Sequence, residues 1–384
     1  MLRDAPRLGA TIDGYAVEGG FDVEGGPYTA FNAAQALGQR RPSVRTPATY
    51  EHLGDLVDAA ADLGLDEVRL TLEWARLEPR PGQRDEDVLA HYVGALAAAH
   101  ARGLGSVVVL CDAAWPSWLG DEPWLSAWAP PRFAAHAAWV AERVEGLARA
   151  VVTFRAPNAA AAASFRTATS PPYRTSSRDD ELASLDGMLL AHQLAVLELA
   201  RCAPGVERAI VLAASGDYEE ECLLRDVAAG IVDPVVLAAR RDRFERDVSQ
   251  VRSARRVRDL SGVGSLRSAQ RWADLPEHRW WLASGDPDLL CAVLNDAPPL
   301  RGATMELAAG AYGWDAQLAV GVRSLAHAMG PGATIHLFGL VGAEGTLPEP
   351  VGLLEVDRLG GGWSARDVDD RVAGRLRALR RNAD

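Results

Sequence analysis

Short apolar runs rich in β-branched residues recur along the chain, each followed by a longer Ala- and Leu-rich stretch with apolar residues at three- and four-residue steps. That alternation is the mark of repeated strand–helix units around a parallel sheet. Strands are expected at Gly9 to Tyr15, Glu67 to Leu72, Ser106 to Cys111, Ala150 to Phe154, Ala209 to Ala213, Leu260 to Gly264, Ala303 to Leu307 and Thr334 to Leu340. Helices are expected at Tyr50 to Leu63, Glu86 to Arg102, Pro131 to Leu147, Asp180 to Arg201, Pro234 to Val257 and Trp314 to Met329. Pro157 to Arg178 and Leu340 to Pro350 read as loops. The pattern predicts an α/β fold, a (β/α)8 TIM barrel in which residues 1–384 form a single domain. In such a barrel the functional residues sit at the C-terminal ends of the strands and in the loops that follow them.

Composition removes several chemistries. All 40 basic residues are Arg, so the P-loop lysine, a Schiff-base nucleophile and the lysine that anchors pyridoxal phosphate are missing. Arg in place of Lys, with many Ala, Asp and Gly, also follows from a GC-rich genome and does not by itself select a chemistry. A formal charge of -12 and the lack of a basic patch interleaved with aromatics argue against a nucleic-acid partner. The first residues, MLRDAPRLGA, show no signal-peptide pattern, and no apolar run suggests a membrane span, which predicts a cytoplasmic protein. Cys111, Cys202, Cys222 and Cys291 stand far apart without CxxC spacing, so they read as unpaired thiols and no metal site is expected. No cofactor is expected either.

The strand ends carry more specific text: LGATIDGYAVEGG from Leu8, VRLTLEWARLEPRPG from Val68, VVVLCDAAWPSWL from Val107, VVTFRAPN from Val151, DLSGVG from Asp259 and RGATMELAAGAY from Arg301. In order and spacing these resemble glycoside hydrolase family 1, the retaining β-glycosidases, over nearly the whole chain. Trp74, Arg76, Pro79 and Gly82 match the family's W-x-R-x-x-P-x-x-G, Pro116, Trp118 and Leu119 its P-x-W-L, and Ala191 and His192 its A-H. These read as packing and turn residues, with His192 a hydrogen-bonded core histidine.

The resemblance implies a site built on two carboxylates about 5 to 5.5 Å apart, one attacking the anomeric carbon and one moving the leaving-group proton. Glu306 in ATMELAAG occupies the nucleophile position of I-T-E-N-G, and Arg69 matches the arginine that holds this carboxylate ionised. The acid/base position of T-F-N-E-P-N is Ala156, and the preceding Asn, which contacts the sugar 2-hydroxyl, is Arg155. Alanine has no proton to give. The family's first-strand Gln is Ala16 here, its third-strand His is Asp112, and the Asn-Tyr after the sixth strand reads Gly264 and Ser265. The eighth-strand tryptophan motif is replaced by Phe338 to Val341 and a Gly- and Pro-rich loop, in which Glu344 or Glu349 is the available carboxylate.

Loss of one general acid removes a factor of about 10²–10⁴, and loss of the sugar contacts removes stabilisation of the oxocarbenium-like state as well. The expectation is a divergent member that binds a sugar or glycosylated small molecule without ordinary retaining hydrolysis. Trp74, Trp115, Trp118 and Trp124 either stack on that sugar or pack in the core. The alternative is a repurposed enzyme of carbohydrate or natural-product metabolism that uses Glu306, Asp112 and Arg155, with Arg155 suited to a carboxylate or phosphate. In that alternative's own counter-reading, Arg155 merely neutralises Glu306 or Asp112. A noncatalytic interaction protein is the third possibility.

Overall fold

The computed structural model describes residues 6–21, 26–39, 48–112, 114–175, 178–213, 275, 279–284, 290, 304–307, 316–329, 333–337, 340, 354–357, 364–367, 374 and 376–377. Eight parallel strands close into a barrel in chain order: β1 (Arg7–Ile12), β2 (Glu67–Thr71), β3 (Gly105–Cys111), β4 (Ala150–Arg155), β5 (Glu207–Ala213), β6 (Arg279–Ser284), β7 (Thr304–Leu307) and β8 (Thr334–Leu337). β8 returns to β1 with Gly9 opposite His336. The strands are buried on both faces, which is why they read as apolar runs without alternation.

The crossovers carry α1 (Tyr15–Glu18), α2 (Ala30–Ala36) and α3 (Leu53–Asp62) after β1, α4 (Trp74–Leu77) and α5 (Glu86–Ala101) after β2, and α6 (Ala129–Val144) after β3. α7 (Pro157–Phe165) and α8 (Arg178–Cys202) follow β4, and α9 (Ala316–Met329) lies between β7 and β8. An antiparallel pair, β9 (Leu354–Asp357) and β10 (Ser364–Asp367), comes after the barrel. α5 starts at Asp85, whose carboxylate accepts from the N–H groups of Asp87 and Val88. α8 is long and apolar enough to cross a bilayer, but its Leu182, Leu185, Leu189, Ala191, Ala195 and Leu199 are buried in the core shared with the barrel, and it packs along α6.

Three expectations change. The sixth strand is Arg279–Ser284, whose Trp281, Leu282 and Ala283 are buried in the barrel. The Ser- and Gly-rich Leu260 to Gly264 lies outside the described residues, as do the helix expected at Pro234 to Val257 and the loop segment 341–350. Residues 157–165, read as loop, form α7 because Pro157 presets the first turn and the alanines after it propagate it. β1 ends at Ile12 and not Tyr15, since Gly14 and Tyr15 turn the chain into α1.

The inside of the barrel is filled by two kinds of layer. Val107, Val109, Ala150, Val152, Ala209, Val211, Trp281 and Ala283 form an apolar cluster. Below it, at the N-terminal ends of the strands, Glu67 is gripped by Arg149 through Nε to Oε2 at 2.7 Å and Nη2 to Oε1 at 2.9 Å. His336 Nε2 lies 2.6 Å from Glu67 Oε1, and Arg149 Nη1 reaches Glu207 Oε2 at 3.4 Å. Gly9 makes room for this network, because a Cβ there would stand 2.9 Å from the His336 ring.

Candidate ligand-binding site at the barrel mouth

Consecutive strands deliver a cluster of charges to the C-terminal mouth. Asp13 follows β1, Arg69 lies within β2, Asp112 follows β3 and Arg155 ends β4. Arg155 Nη1 donates to Asp112 Oδ1 at 3.1 Å, with both side chains partly exposed. Arg69 is wholly buried. Asp13 lies within electrostatic reach of Asp112, Arg155 and Arg69, and its Oδ1 is shielded from solvent without a hydrogen-bond partner. Burial first, then the Asp112 charge, raise its carboxyl above the usual aspartate range, while Arg155 and Arg69 pull it down. Burial, then Arg155, push the Arg69 guanidinium down to about 9, so it remains a cation at neutral pH.

A β-bulge at the end of β4 sets Arg155 in place: the register with β5 shifts between Val152 and Arg155. The next residue, Ala156, is left-handed at φ 54° and ψ 47°, a conformation that costs a non-glycine residue roughly 1–2 kcal/mol. Its N–H donates to Val211 O at 2.7 Å and its carbonyl receives the first bond of α7 from Ala160. Asn158 locks the same corner to β5, donating through Nδ2 to Ala213 O at 2.9 Å and accepting from Ala213 N–H at 3.0 Å. The strained corner is therefore held from two sides, a pattern that clusters at functional sites.

Glu306 stands in β7, in register with Ala283 of β6 and His336 of β8. Gly264, Ser265, Glu344 and Glu349 lie outside the described residues. Ala16 is exposed on α1.

The tryptophans resolve toward packing. Trp74 is 1% exposed, stacks on His136 with centroids 4.8 Å apart, and spends its Nε1–H on Glu78 Oε2 at 3.0 Å. Trp115 is 5% exposed and donates to Gly120 O at 3.0 Å. Trp124 meets Phe133 and Phe154 edge-on in the core. Trp118 is half-buried against Trp74, donating to Glu78 O. Trp74 and Trp115 are both buried in the core, and Phe133 and His136 of α6 lie against Trp74. His192 is buried, with Nδ1 2.6 Å from Thr153 Oγ1, the hydrogen-bonded core histidine expected.

Two groups escaped the sequence reading. Asp13 is one, legible only as a charge directly after an apolar run. The other is Glu73, buried beside β1 after β2, accepting from Tyr15 N–H at 3.1 Å and capping α4 through Ala75 N–H. Burial, then the Glu18 charge, push its carboxyl up to about 8. It comes so close to Gly14 that a Cβ there would meet Oε2 at 2.9 Å. Glu18 is itself paired with Arg76, which lies over the Tyr50 ring at 4.0 Å. Cys111 and Cys202 are free thiols, and burial raises the Cys111 pKa well above its ordinary value.

The family sequence model that matches is glycosyl hydrolase family 1, over residues 7–228, more than half of the chain. The chain belongs to glycosyl hydrolase family 1. No curated protein is similar enough to count as a relative. Among solved structures, the barrel is similar to a β-glucosidase from Thermotoga maritima in complex with castanospermine, at TM-score 0.74 and 14% identity over 99% of this chain and 98% of that one. It is also similar to the AHE enzyme from Alicyclobacillus herbarius, at TM-score 0.72 and 17% identity over 97% and 98%. The virulence factor SghA, in complex with its substrate analogue salicin, matches at TM-score 0.70 and 17% identity over 98% and 95%. At these identities the likeness is one of fold, the same family 1 barrel nearly end to end.

Proposed function

We propose that this family 1 barrel binds a sugar or a glycosylated small molecule at its mouth and does not cleave it by the family's double displacement. One observation carries the reading. The head of α7, where the resemblance puts the proton-transferring carboxylate, holds Ala156, and its neighbour Arg155 is ion-paired to Asp112. A retaining mechanism needs a protonated acid at that corner, and the group on offer there is a cation. The family membership, and the complexes of its structural neighbours with the substrate analogue salicin and with castanospermine, support the ligand class. Their near-full coverage supports one barrel over residues 1–384.

A second reading has its own observation. Asp13 and Asp112 form a carboxylate pair flanked by Arg155 and Arg69, in which burial and then the Asp112 charge raise the Asp13 carboxyl above the usual aspartate range. That is a set for acid–base chemistry on a substrate whose carboxylate or phosphate meets Arg155.

A panel of nitrophenyl glycosides and free sugars separates the two. Melting shifts with sugars in the absence of turnover match the binding reading. Turnover that disappears in Asp13→Asn replaces it with the second, and neither response removes both.

A further inference from the structure

Two buried carboxylates share one guanidinium where the first two strand–helix corners touch. Glu18 of α1 is 2% exposed, and Glu73, two residues past β2, is 4% exposed. Glu18 takes the strong donors, Arg76 Nε at 3.0 Å and Tyr92 Oη at 2.6 Å. Arg76 spends Nη2 on Gly19 O at 2.6 Å. Among the described residues, the donors to the Glu73 carboxylate are backbone N–H groups, Tyr15 to Oε2 at 3.1 Å and Ala75 to Oε1 at 3.5 Å. With two carboxylates to one cation, ionising both leaves a buried charge uncompensated. Glu73 is the one that keeps a proton, because Glu18 holds the arginine and the hydroxyl. Burial first, then the Glu18 charge, push the Glu73 carboxyl up to about 8.

That carboxyl also joins the β1–α1 corner, through Tyr15, to the β2–α4 corner, through Ala75. Asp13 of the mouth cluster comes immediately before Gly14, which packs against Glu73 Oε2. α1 is a single turn of four residues, and Gly19 and Gly20 after it are both left-handed at φ 73°. So short a turn, ending on two glycines, has little internal hydrogen bonding and depends on its neighbours for its place. The other titratable groups facing the pair are Tyr50, His91 and Tyr92 toward Glu18 and Cys111 toward Glu73. Burial lifts the Tyr50 hydroxyl to about 12 and raises Tyr92 and Cys111 well above their ordinary values, so these three stay neutral where Glu73 titrates.

We propose that Glu73 is a proton-operated latch at the barrel mouth, which pins the β1–α1 corner and Asp13 to β2 while it holds its proton and releases them when the proton leaves. Ionised Glu73 stands beside ionised Glu18, and movement of the corner that admits water relieves both the burial and the repulsion. The closed state binds the extra proton, so the latch is fully closed below about pH 4.5 and weakens as pH rises through about 8. It acts on the corner itself and does not depend on which ligand the mouth takes.

Hydrogen–deuterium exchange of the full chain tests it without any ligand, with rates corrected for the intrinsic pH dependence of exchange. With a carboxyl at about 8 when closed and 4.5 when open, protection of the amides of residues 13–18 is expected to fall about tenfold between about pH 7 and about pH 9. In Glu73→Gln the change is expected to be less than about twofold, because nothing titrates at that position. Glu18→Gln leaves Arg76 facing Glu73 alone, favours its ionised form, and is expected to cut the change below about threefold; it decides the matter if the Glu73 variant does not fold. Equal protection of wild-type residues 13–18 at the two pH values overturns the proposal, as does a tenfold loss that persists in either variant. Exchange of these amides only in step with residues 139–144 of α6 overturns it too, since the opening is then global unfolding.

Discussion

The guanidinium of Arg155 donates to the carboxylate of Asp112 at 3.1 Å, joining the C-terminal ends of β4 and β3 one residue before the strained corner at Ala156. That pair decides what a carboxylate introduced at that corner would experience. In Ala156→Glu the new side chain would stand beside a cation that favours its ionised form, whereas a general acid must be protonated. The single substitution is therefore expected to give no measurable hydrolysis of cellobiose. The pH–rate profile for a nitrophenyl β-glucoside checks this. A bell-shaped profile with brisk turnover near neutrality would show the acid functioning despite Arg155.

Ala156 also predicts a stability effect. Its φ of 54° is unfavourable for any residue with a Cβ. Glycine relieves this strain but gains freedom in the unfolded chain, so Ala156→Gly is expected to stabilise by a net of about 0.5–1 kcal/mol. Urea denaturation measures it. A destabilised variant would mean that the Ala156 methyl makes contacts worth more than the strain.

At the other end of the barrel, Glu67 is fully buried between Arg149 and His336. Two hydrogen bonds from Arg149 are the main influences holding its carboxyl well below the usual glutamate range, against the opposing effect of burial. Removing one member of a buried ion pair leaves the other uncompensated, so Glu67→Ala is expected to cost roughly 3–5 kcal/mol. Glu207→Ala, which touches Arg149 at 3.4 Å and is partly exposed, is expected to cost less than about 1 kcal/mol. Comparable losses for the two would place the anchor of the network at Arg149 and not at Glu67.

The scaffold was legible where physics leaves one choice. A run such as Val107-Val108-Val109-Leu110 has the β-branched bulk of a strand buried on both faces, and the structure makes it β3. The sixth strand was not, because a Gly-containing segment at Leu260 competes in pattern with the Trp-rich Arg279–Ser284, and pairing with β5 and β7 decides between them. Arg69, Asp112 and Arg155 drew notice through the resemblance, and the structure has Arg69 within β2, Asp112 just after β3 and Arg155 at the end of β4. Trp74 and Trp115 could not be assigned from sequence: an aromatic after a strand serves a ligand or the neighbouring helix equally well, and here Phe133 and His136 of α6 claim Trp74. Asp13 and Glu73 were overlooked because a single carboxylate carries no periodic signal. Their meaning comes from what the fold packs around them.

Glu73 gives the sharpest pH prediction. It is 4% exposed, and burial followed by the Glu18 charge raises its carboxyl from 4.5 to about 8, so it is largely protonated at neutral pH in the folded protein. The unfolded chain releases that proton near the ordinary glutamate value. Between the two, the folded state binds more protons, so this group's contribution is fully present below about pH 4.5 and is lost as pH rises through about 8. Glu73→Gln removes the titration. It also sets one amide N–H₂ against a backbone N–H of Tyr15 or Ala75, a pH-independent loss of about 1 kcal/mol. The stability of the variant relative to the wild type is therefore expected to be flat and slightly negative below pH 4.5, then to climb by as much as about 5 kcal/mol by pH 8. Denaturation curves at a series of pH values read this difference directly. A difference that stays flat across the range would mean that Glu73 is ionised inside the fold, with Arg76 and the two backbone N–H groups outweighing its burial.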